Sequence, residues 1–261
     1  MENNGIEAIT IVGSGNVATH LATALSNSGA TINGIYSRNA KTAGNLADQV
    51  GAQLFRSLTE INDNTDLIIL AVPDIAIQDI SRQLEPCNSL VVHVSGSTSI
   101  DALQPFFQDY GVFYPLQTFT KGRKLDYRNI PVCIEARHEK STLKLKQLAG
   151  QFSNDVRVTT SHERLIIHLS AVYASNFVNY MNVIASALLE RENISRDILF
   201  PLIRETMQKI LDNHPHDVQT GPAVRGDHGT LQKHVELLST DPENQKIYRI
   251  LSEEILKYFK G

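Results

Sequence analysis

The sequence of 261 residues contains only two cysteines, no tryptophan and no long apolar segment. Cys87 and Cys133 are too few for a disulfide framework or a zinc cluster, so we expect a reducing compartment and two small, buried, unreactive thiols. The strongest apolar run, residues 67–72, is far shorter than the roughly 20 residues that span a bilayer. These absences argue against disulfide stapling and against a membrane span.

A basic surface and a targeting segment are missing as well. Lys plus Arg number 24 against 28 Asp plus Glu, which gives a formal net charge of −4 without any basic run. This balance argues against nucleic acid or a membrane as the main partner. The amino terminus is polar and acidic, unlike a signal peptide, so a cytoplasmic location is expected. The length is compatible with an enzyme of one large domain or of two modest domains.

Two contrasting patterns follow one another along the chain. Up to about residue 135, uncharged apolar runs alternate with stretches of helical periodicity, which predicts a Rossmann-like, doubly wound α/β sheet of buried parallel strands. The strand-like runs are residues 8–12, 31–36, 67–72, 90–94, 112–113 and 132–134, and after Glu135 the strand signal nearly stops, with only Val156-Arg157-Val158 remaining. The helical stretches are residues 17–26, 40–50, 75–84 and 141–152.

The second pattern is helical throughout. A capping box of Thr160 and Glu163 opens a long helix to about residue 192, followed by a helix that Ser195 caps and Pro201 kinks or interrupts. Residues 230–238 and 242–258 continue the helical pattern. We therefore expect two domains, residues 1–160 for cofactor binding and residues 161–261 for substrate binding and dimerisation, with a shared cleft.

The first strand-like run leads directly into Gly13-Ser14-Gly15-Asn16-Val17-Ala18, a G-x-G-x-x-A sequence. At such a turn, Gly13 permits the tight bend, Gly15 lets the backbone approach a pyrophosphate, and Ala18 allows close helix–strand packing. The next helix adds free N–H groups and the positive end of its dipole. A glycine turn without a ligand is the alternative. The predicted dinucleotide contacts here are Gly13, Ser14, Gly15, Asn16 and Val17.

The end of the second strand-like run distinguishes NADP from NAD. NAD sites place Asp or Glu there to hold the ribose 2′-hydroxyl, whereas this sequence reads Tyr36-Ser37-Arg38-Asn39 and has no acid. Ser37 and Asn39 can donate hydrogen bonds, and Arg38 can pair with a 2′-phosphate, so NADP is the predicted cofactor. The alternative for Arg38 is a solvated side chain in a loop.

Two further strand ends point to the same crevice, because ligands lie beyond the carboxyl ends of strands in such sheets. One is Ala71-Val72-Pro73-Asp74, where Pro73 stops the strand and Asp74 is either a catalytic group or a helix cap. The other is His93-Val94-Ser95-Gly96-Ser97, whose small residues suit the space near a nicotinamide ring. The predicted cofactor contacts here are Ala71, Val72, Pro73 and Ser95.

These motifs together resemble the 6-phosphogluconate dehydrogenase-like superfamily, to which pyrroline-5-carboxylate reductase and the deazaflavin-dependent NADP reductases are similar in layout. Residues 114–119, 168–176 and 220–227 resemble a narrower family that pairs a Rossmann-like domain with a helical domain of unknown function. The resemblance covers essentially the whole chain. It implies an NADP oxidoreductase that forms a homodimer through its helical half. The family commonly has His where this sequence has Tyr114.

Polar residues stand out on the largely apolar long helix, where His168, Ser175, Asn176 and Asn179 form one predicted stripe. A neutral His168 could donate a proton when a carbonyl or imine accepts a hydride, and Asn176 could orient the substrate. A satisfied hydrogen-bond network between helices is the alternative. In hydroxyacid dehydrogenases of the superfamily a lysine precedes a catalytic asparagine by one turn, and Val172 occupies that position here.

Residues outside the long helix complete the candidate site. Arg225 could hold a substrate carboxylate, and Asp227 could pair with Arg225, orient a catalytic group or cap the next helix. Gln117 is a candidate positioning residue. The sequence His214-Pro215-His216-Asp217, with His228, matches no established ligand spacing, so a solvated loop is expected instead of a metal site.

The sequence therefore predicts an NADP-dependent oxidoreductase that acts on a small carbonyl, imine or 2-hydroxy acid, with His168 or Asp227 as the acid/base. A reductase is expected over a dehydrogenase, because NADPH generally serves reductions. Two alternatives stay open. One is a dinucleotide sensor or assembly protein without chemistry, which the missing lysine favours. The other is a deazaflavin-dependent NADP reductase.

Overall fold

The computed structural model of the protein describes residues 5–61, 65–84 and 88–260. Contacts divide the chain into two units, the first ending at Asn176 and the second beginning at Phe177. The expected functional division, with a cofactor domain up to residue 160, stays a prediction. None of the described helices is long and apolar enough to cross a membrane.

Within the described residues, the first unit contains one sheet of eight strands. The strands are β1 (Ala8–Val12), β2 (Thr31–Tyr36), β3 (Gln53–Phe55), β4 (Leu67–Leu70), β5 (Leu90–His93), β6 (Tyr110–Pro115), β7 (Val132–Ala136) and β8 (Val156–Val158). Their order is β3-β2-β1-β4-β5-β6-β7-β8, and only the β6–β7 pair is antiparallel. Every residue of β4 and β5 is buried. The predicted Rossmann-like sheet is confirmed.

Helices cover both faces of this sheet. They are α1 (Asn16–Asn27), α2 (Ala40–Val50), α3 (Ile77–Gln83) and α4 (Glu139–Gly150), while a further helix, α5 (Ser161–Ala171), follows β8. Alternate residues of a strand point to opposite faces, and accordingly Ile69 packs in the core with Leu21 of α1, whereas Ile68 packs in the core with Ile80 of α3. Uncharged strands are stable here because both of their faces lose contact with water.

The observed elements differ from the predicted ones mainly at their ends. The strand β3 escaped prediction because three residues carry too little periodicity to stand out. The predicted helix over residues 75–84 begins as a 3-10 turn, Asp74–Ala76, before α3. The predicted long helix is interrupted after α5 by a π-helical segment, Val172–Phe177.

The second unit is helical throughout its described residues. Its helices are α6 (Val178–Arg191), α7 (Phe200–Asp212), α8 (Pro222–Arg225), α9 (His228–Leu237) and α10 (Pro242–Lys260). Pro201 lies in the first turn of α7, where its missing N–H costs nothing, so it begins this helix and does not kink it. Ser195 precedes a 3-10 turn without a side-chain cap. Cys133 is buried as predicted, and Cys87 lies outside the described residues.

Candidate functional site

The glycine-rich turn lies where β1 passes into α1. Gly13 has a φ of 131°, its N–H donates to the Tyr36 carbonyl at 2.7 Å, and a Cβ there would overlap the Ala71 carbonyl oxygen. At Gly15, by contrast, a Cβ would meet nothing within 4 Å. Gly13 is thus needed for packing of the turn, while Gly15 leaves the open space that a pyrophosphate requires.

A cavity of about 240 Å³ opens between the strand ends around this turn, and we call it the NADP cavity. Of the predicted cofactor contacts, those that line it are Gly13, Ser14, Gly15, Ser37, Arg38, Ala71, Val72 and Pro73. The Ser14 hydroxyl donates to the Ser37 hydroxyl at 3.0 Å and so joins the turn to the end of β2. Arg38 is exposed, and no carboxylate is among the described residues of the lining. This donor set fits NADP.

Asn16 and Val17 contribute to the start of α1 without lining the NADP cavity. The Asn16 amide donates to the Phe119 carbonyl at 3.0 Å, and Val17 packs against the main core. Their backbone N–H groups lie in the first turn of the helix, the place where phosphates bind. Direct contact of these two residues with the cofactor stays a prediction.

Asn39 and Ser95 have structural partners in loops. The Asn39 side chain accepts the Thr42 N–H at 3.1 Å and caps α2. The buried Ser95 hydroxyl accepts the N–H groups of Ser97 at 3.1 Å and Thr98 at 2.9 Å. Neither residue lines the NADP cavity, and their contact with the cofactor stays a prediction.

A larger cavity, of about 760 Å³, lies at the carboxyl end of β6 beside α5, and we call it the His168 cavity. It brings together three predicted catalytic residues, Gln117, His168 and Asn176. Much of the remaining lining is apolar: Leu116, Phe119, Ile166, Ile167, Ala171, Val172 and Ala174. A mostly apolar cavity with a few convergent polar groups is typical of a small-molecule site.

Tyr114 pairs with His168 in the wall of this cavity. Its hydroxyl lies 3.1 Å from His168 Nδ1, and the two rings meet edge to face. Burial raises the pKa of Tyr114 to about 12, so the phenol stays protonated and can donate a hydrogen bond to Nδ1 or accept one from it. A neutral imidazole whose Nδ1 accepts carries its proton on Nε2. In the tautomer in which Tyr114 donates, His168 Nε2 is therefore a hydrogen-bond donor.

Gly96, in the loop after β5, leaves room for this pair. A Cβ at Gly96 would lie 2.7 Å from the His168 ring and 2.9 Å from the Tyr114 ring. Real Cβ atoms do not approach neighbours this closely, so any side chain would displace the histidine. Gly96, one of the small residues predicted to lie near a nicotinamide ring, makes space for His168, and its nearness to the nicotinamide stays a prediction.

Arg164, one turn before His168, anchors α5. It is only 1% exposed, forms an ion pair with Glu135 of β7 and donates to the Thr98 carbonyl at 2.6 Å. Glu135 also accepts the Ser161 N–H at 3.0 Å and the Ser161 hydroxyl at 2.8 Å. These contacts fix α5 against β7 and the loop after β5, and thereby fix the position of His168.

The π-helical segment changes the expected polar stripe. The stripe assumes 100° per residue, which does not hold across a π-turn because each turn contains more residues. Ser175 donates to the Ala171 carbonyl at 2.7 Å and contacts the Asn176 amide oxygen at 3.0 Å. His168, Ser175 and Asn176 still line the His168 cavity, whereas Asn179 lines a different cavity within the second unit.

Arg225 and Asp227 lie in the second unit. The Asp227 carboxylate accepts the Thr230 N–H at 3.0 Å and the Thr230 hydroxyl at 2.7 Å, so it caps α9. The hydrogen bonds from Thr230 lower the pKa of Asp227, and the charge of Arg225 contributes a smaller part. Of the alternatives for Asp227, helix capping is the observed one. Among the described residues, no three potential ligands come together to hold a metal ion.

Sequence reasoning assigned no role to Tyr114 or Arg164, and it placed Gly96 near a nicotinamide ring without foreseeing its contact with His168. Arg164 and His168 are four residues apart and so share one face of α5, which was an available signal. The contacts of Tyr114 and Gly96 with His168 gave no local signal, because they join strand ends to a helix distant in the chain.

Two family models match the chain. Residues 8–97 match the model described as NADP oxidoreductase coenzyme F420-dependent, and residues 130–255 match a domain of unknown function, DUF2520. No curated protein matches the sequence. Together the two models cover most of both units.

Solved structures match over nearly the whole chain. A candidate NADP oxidoreductase from Bacteroides fragilis is 36% identical, with a TM-score of 0.89 over 97% of this chain and 99% of that one. A 1-pyrroline-5-carboxylate reductase from Streptococcus pyogenes is 13% identical, with a TM-score of 0.66 over 98% and 100%. An imine reductase from Myxococcus stipitatus, in complex with NADP⁺, is 14% identical, with a TM-score of 0.65 over 97% and 93%. The last two share the fold.

The fold, the acid-free NADP cavity and these matches agree with one another. The predicted cofactor, NADP, is confirmed as that of the family. With 36% identity over almost the full length of both proteins, this chain belongs to the family of NADP oxidoreductases that join an F420-dependent-type dinucleotide domain to a DUF2520 domain.

Proposed function

We propose that this protein is an NADP-dependent oxidoreductase that reduces a small carbonyl or imine compound with NADPH or, in the reverse direction, oxidises a 2-hydroxy acid with NADP⁺. The observation that carries the proposal is the Tyr114–His168 pair in the wall of a largely apolar cavity of about 760 Å³. This cavity lies in the same unit as the NADP cavity. Apolar walls exclude water and strengthen the few polar interactions inside.

His168 is the acid in this proposal. The nicotinamide ring of bound NADPH supplies the hydride, and His168 Nε2 gives its proton to the oxygen or nitrogen on which negative charge develops. As Nε2 gives up its proton, the Tyr114 proton shifts to Nδ1 and the imidazole stays neutral. After product release, Nε2 takes a proton from water and the Nδ1 proton returns to the phenol, which restores the starting state. Gln117 and Asn176 orient the substrate through their amides.

Residues of the second unit take secondary roles. Asp227 is committed to capping α9, so we assign the proton transfer to His168 and a structural role to Asp227. Arg225 is exposed at the end of α8 and is the candidate for holding a substrate carboxylate. The substrate class would then include keto acids and cyclic imino acids.

We also propose a homodimer formed through the second unit. Large apolar side chains are exposed on α6 and α7, among them Tyr180, Val183, Leu202 and Leu211. Exposed apolar surface of this kind marks protein interfaces. Leu202→Glu should give monomers in light scattering, whereas Leu143→Glu, an equally exposed position on α4, should leave the dimer intact. A wild-type monomer would overturn this part.

The test of the reaction is a screen for NADPH oxidation over cyclic imines, keto acids and aldehydes. With an active substrate, His168→Ala should lower turnover about 10²- to 10⁴-fold and leave NADPH affinity unchanged. Unchanged turnover in this variant would refute the assignment. NADP affinity without turnover on any substrate would support a dinucleotide sensor instead.

A second candidate, a deazaflavin-dependent NADP reductase, is favoured by the match of residues 8–97 to the F420-dependent model. Its test is the absorbance of oxidised coenzyme F420 mixed with NADPH and the protein. Protein-dependent bleaching of the deazaflavin would establish this candidate, and its absence at saturating NADPH would exclude it.

A further inference from the structure

The segment that follows β6, residues 117–121, folds against the first turns of α1. The Asn16 amide donates to the Phe119 carbonyl at 3.0 Å, and His20 Nε2 lies 2.9 Å from the Thr120 carbonyl. The His20 and Phe119 rings also stack, with centroids 4.8 Å apart. The segment is therefore held beside the glycine-rich turn by contacts that do not involve Lys121.

Lys121 reaches the turn itself. Its Nζ donates to the Ser14 carbonyl at 2.8 Å, between the two glycines of the motif. The side chain is exposed, and none of the ion pairs among the described residues involves it. An ammonium group has three donor protons, so two remain beside the turn after the contact with Ser14.

The charge balance of the NADP cavity gives Lys121 a role. NADP carries negative charge at two places, the pyrophosphate and the ribose 2′-phosphate. Arg38 is the one cation among the described residues of the cavity lining, and it lies at the end of β2, where the 2′-position is read. The pyrophosphate is bound at the glycine-rich turn, and Lys121 brings a positive charge to that turn from the segment after β6.

We propose that Lys121 binds the pyrophosphate of the dinucleotide, while Arg38 binds the 2′-phosphate. Lys121 is then a cofactor-affinity residue that serves NADP and NAD equally, and Arg38 alone distinguishes them. The assignment rests on the NADP site and is independent of the proposed reaction.

The test is a fluorescence titration of NADPH and NADH with the wild type, Lys121→Gln and Lys121→Arg. Lys124→Gln is the matched control, because Lys124 is an exposed lysine of the same loop that lines a separate cavity. Lys121→Gln should weaken both nucleotides about tenfold, the effect of one charge-assisted hydrogen bond. Lys121→Arg should keep most of the affinity for both nucleotides, and Lys124→Gln should bind them as tightly as the wild type.

Repeating the titration at several salt concentrations distinguishes a direct charge contact with the nucleotide from a purely structural role of Lys121. The difference in nucleotide affinity between the wild type and Lys121→Gln should decrease as the salt concentration increases, because added ions screen an exposed ammonium. Unchanged affinity in Lys121→Gln would overturn the proposal. A loss of affinity for NADPH alone would also overturn it. So would a loss of affinity that does not depend on salt and that Lys121→Arg shows as well. Failure of the proposed function is a separate result: the protein would then turn over no substrate, but the nucleotide affinities measured in the titration would be unaffected.

Discussion

The NADP cavity and the His168 cavity lie in the same unit but are built by opposite means. The first depends on backbone geometry at one turn, where Gly13 has a φ of 131° and Gly15 leaves open space. The second depends on side chains, since Tyr114 and His168 come together from positions 54 residues apart. The glycine-rich turn of the first cavity is encoded in one short motif, whereas the Tyr114–His168 pair of the second exists only after folding.

The largest expected effect concerns the anchor of the His168 cavity. Arg164→Leu leaves Glu135 partly buried without its partner, so the free energy of unfolding should fall by about 3–5 kcal/mol in chemical denaturation. Arg157→Leu is the control, because the Arg157–Asp155 pair is exposed and should contribute less than about 1 kcal/mol. Equal losses would show that burial of Arg164 does not matter.

A pair of glycine variants tests the NADP cavity. Gly13→Ala combines a positive φ with overlap on the Ala71 carbonyl, and should lower the free energy of unfolding by about 4 kcal/mol. Gly15→Ala should leave thermal stability unchanged, because its Cβ contacts no protein atom, yet weaken NADPH binding by filling the space for the pyrophosphate. A stable Gly13→Ala protein would contradict the backbone origin of this cavity.

His93, at the end of β5, gives an acid-sensitive contribution. Burial, with a smaller part from the charge of Arg164, lowers the pKa of His93 from 6.5 to about 4. Between these values the unfolded chain binds a proton that the folded chain does not, so stability is lost as pH falls from 6.5 to 4. The loss should reach about 3 kcal/mol.

The measurement compares the free energy of unfolding of the wild type and His93→Gln at pH 7 and pH 4.5. Carboxylates titrate in both proteins and cancel in the difference, so the variant should lose less stability on acidification. Parallel losses in the two proteins would rule out the contribution of His93.

The smallest expected effect tests the pair that orients His168. Tyr114→Phe removes one hydrogen bond, at a cost of about 1 kcal/mol, and should change the His168 tautomer in ¹⁵N NMR spectra. Tyr127→Phe is the control, since its hydroxyl contacts His20 Nδ1 at 2.9 Å and its loss should alter the signals of His20 alone. An unchanged His168 tautomer would show that Tyr114 does not set it.

Local physics explains which parts of the fold could be predicted. The Thr160–Glu163 capping box is present in both directions, and the strands over residues 8–12 and 31–36 match their predicted bounds, because each signal lies within a few adjacent residues. The π-helical segment, the antiparallel β7 and the role of Gly96 could not be predicted. Each of these depends on hydrogen-bond register or on packing against residues far away in the chain.

The 117–121 segment has a consequence for the order in which the protein can assemble. The Ser14 carbonyl and the Lys121 ammonium are 107 residues apart in sequence, yet they meet at the glycine-rich turn. On a ribosome, the turn emerges long before its partner, so the nascent chain holds an incomplete nucleotide site until β6 has been made. Affinity for the dinucleotide should therefore mature late in synthesis, and a fragment ending at residue 97 should bind it more weakly than the whole chain.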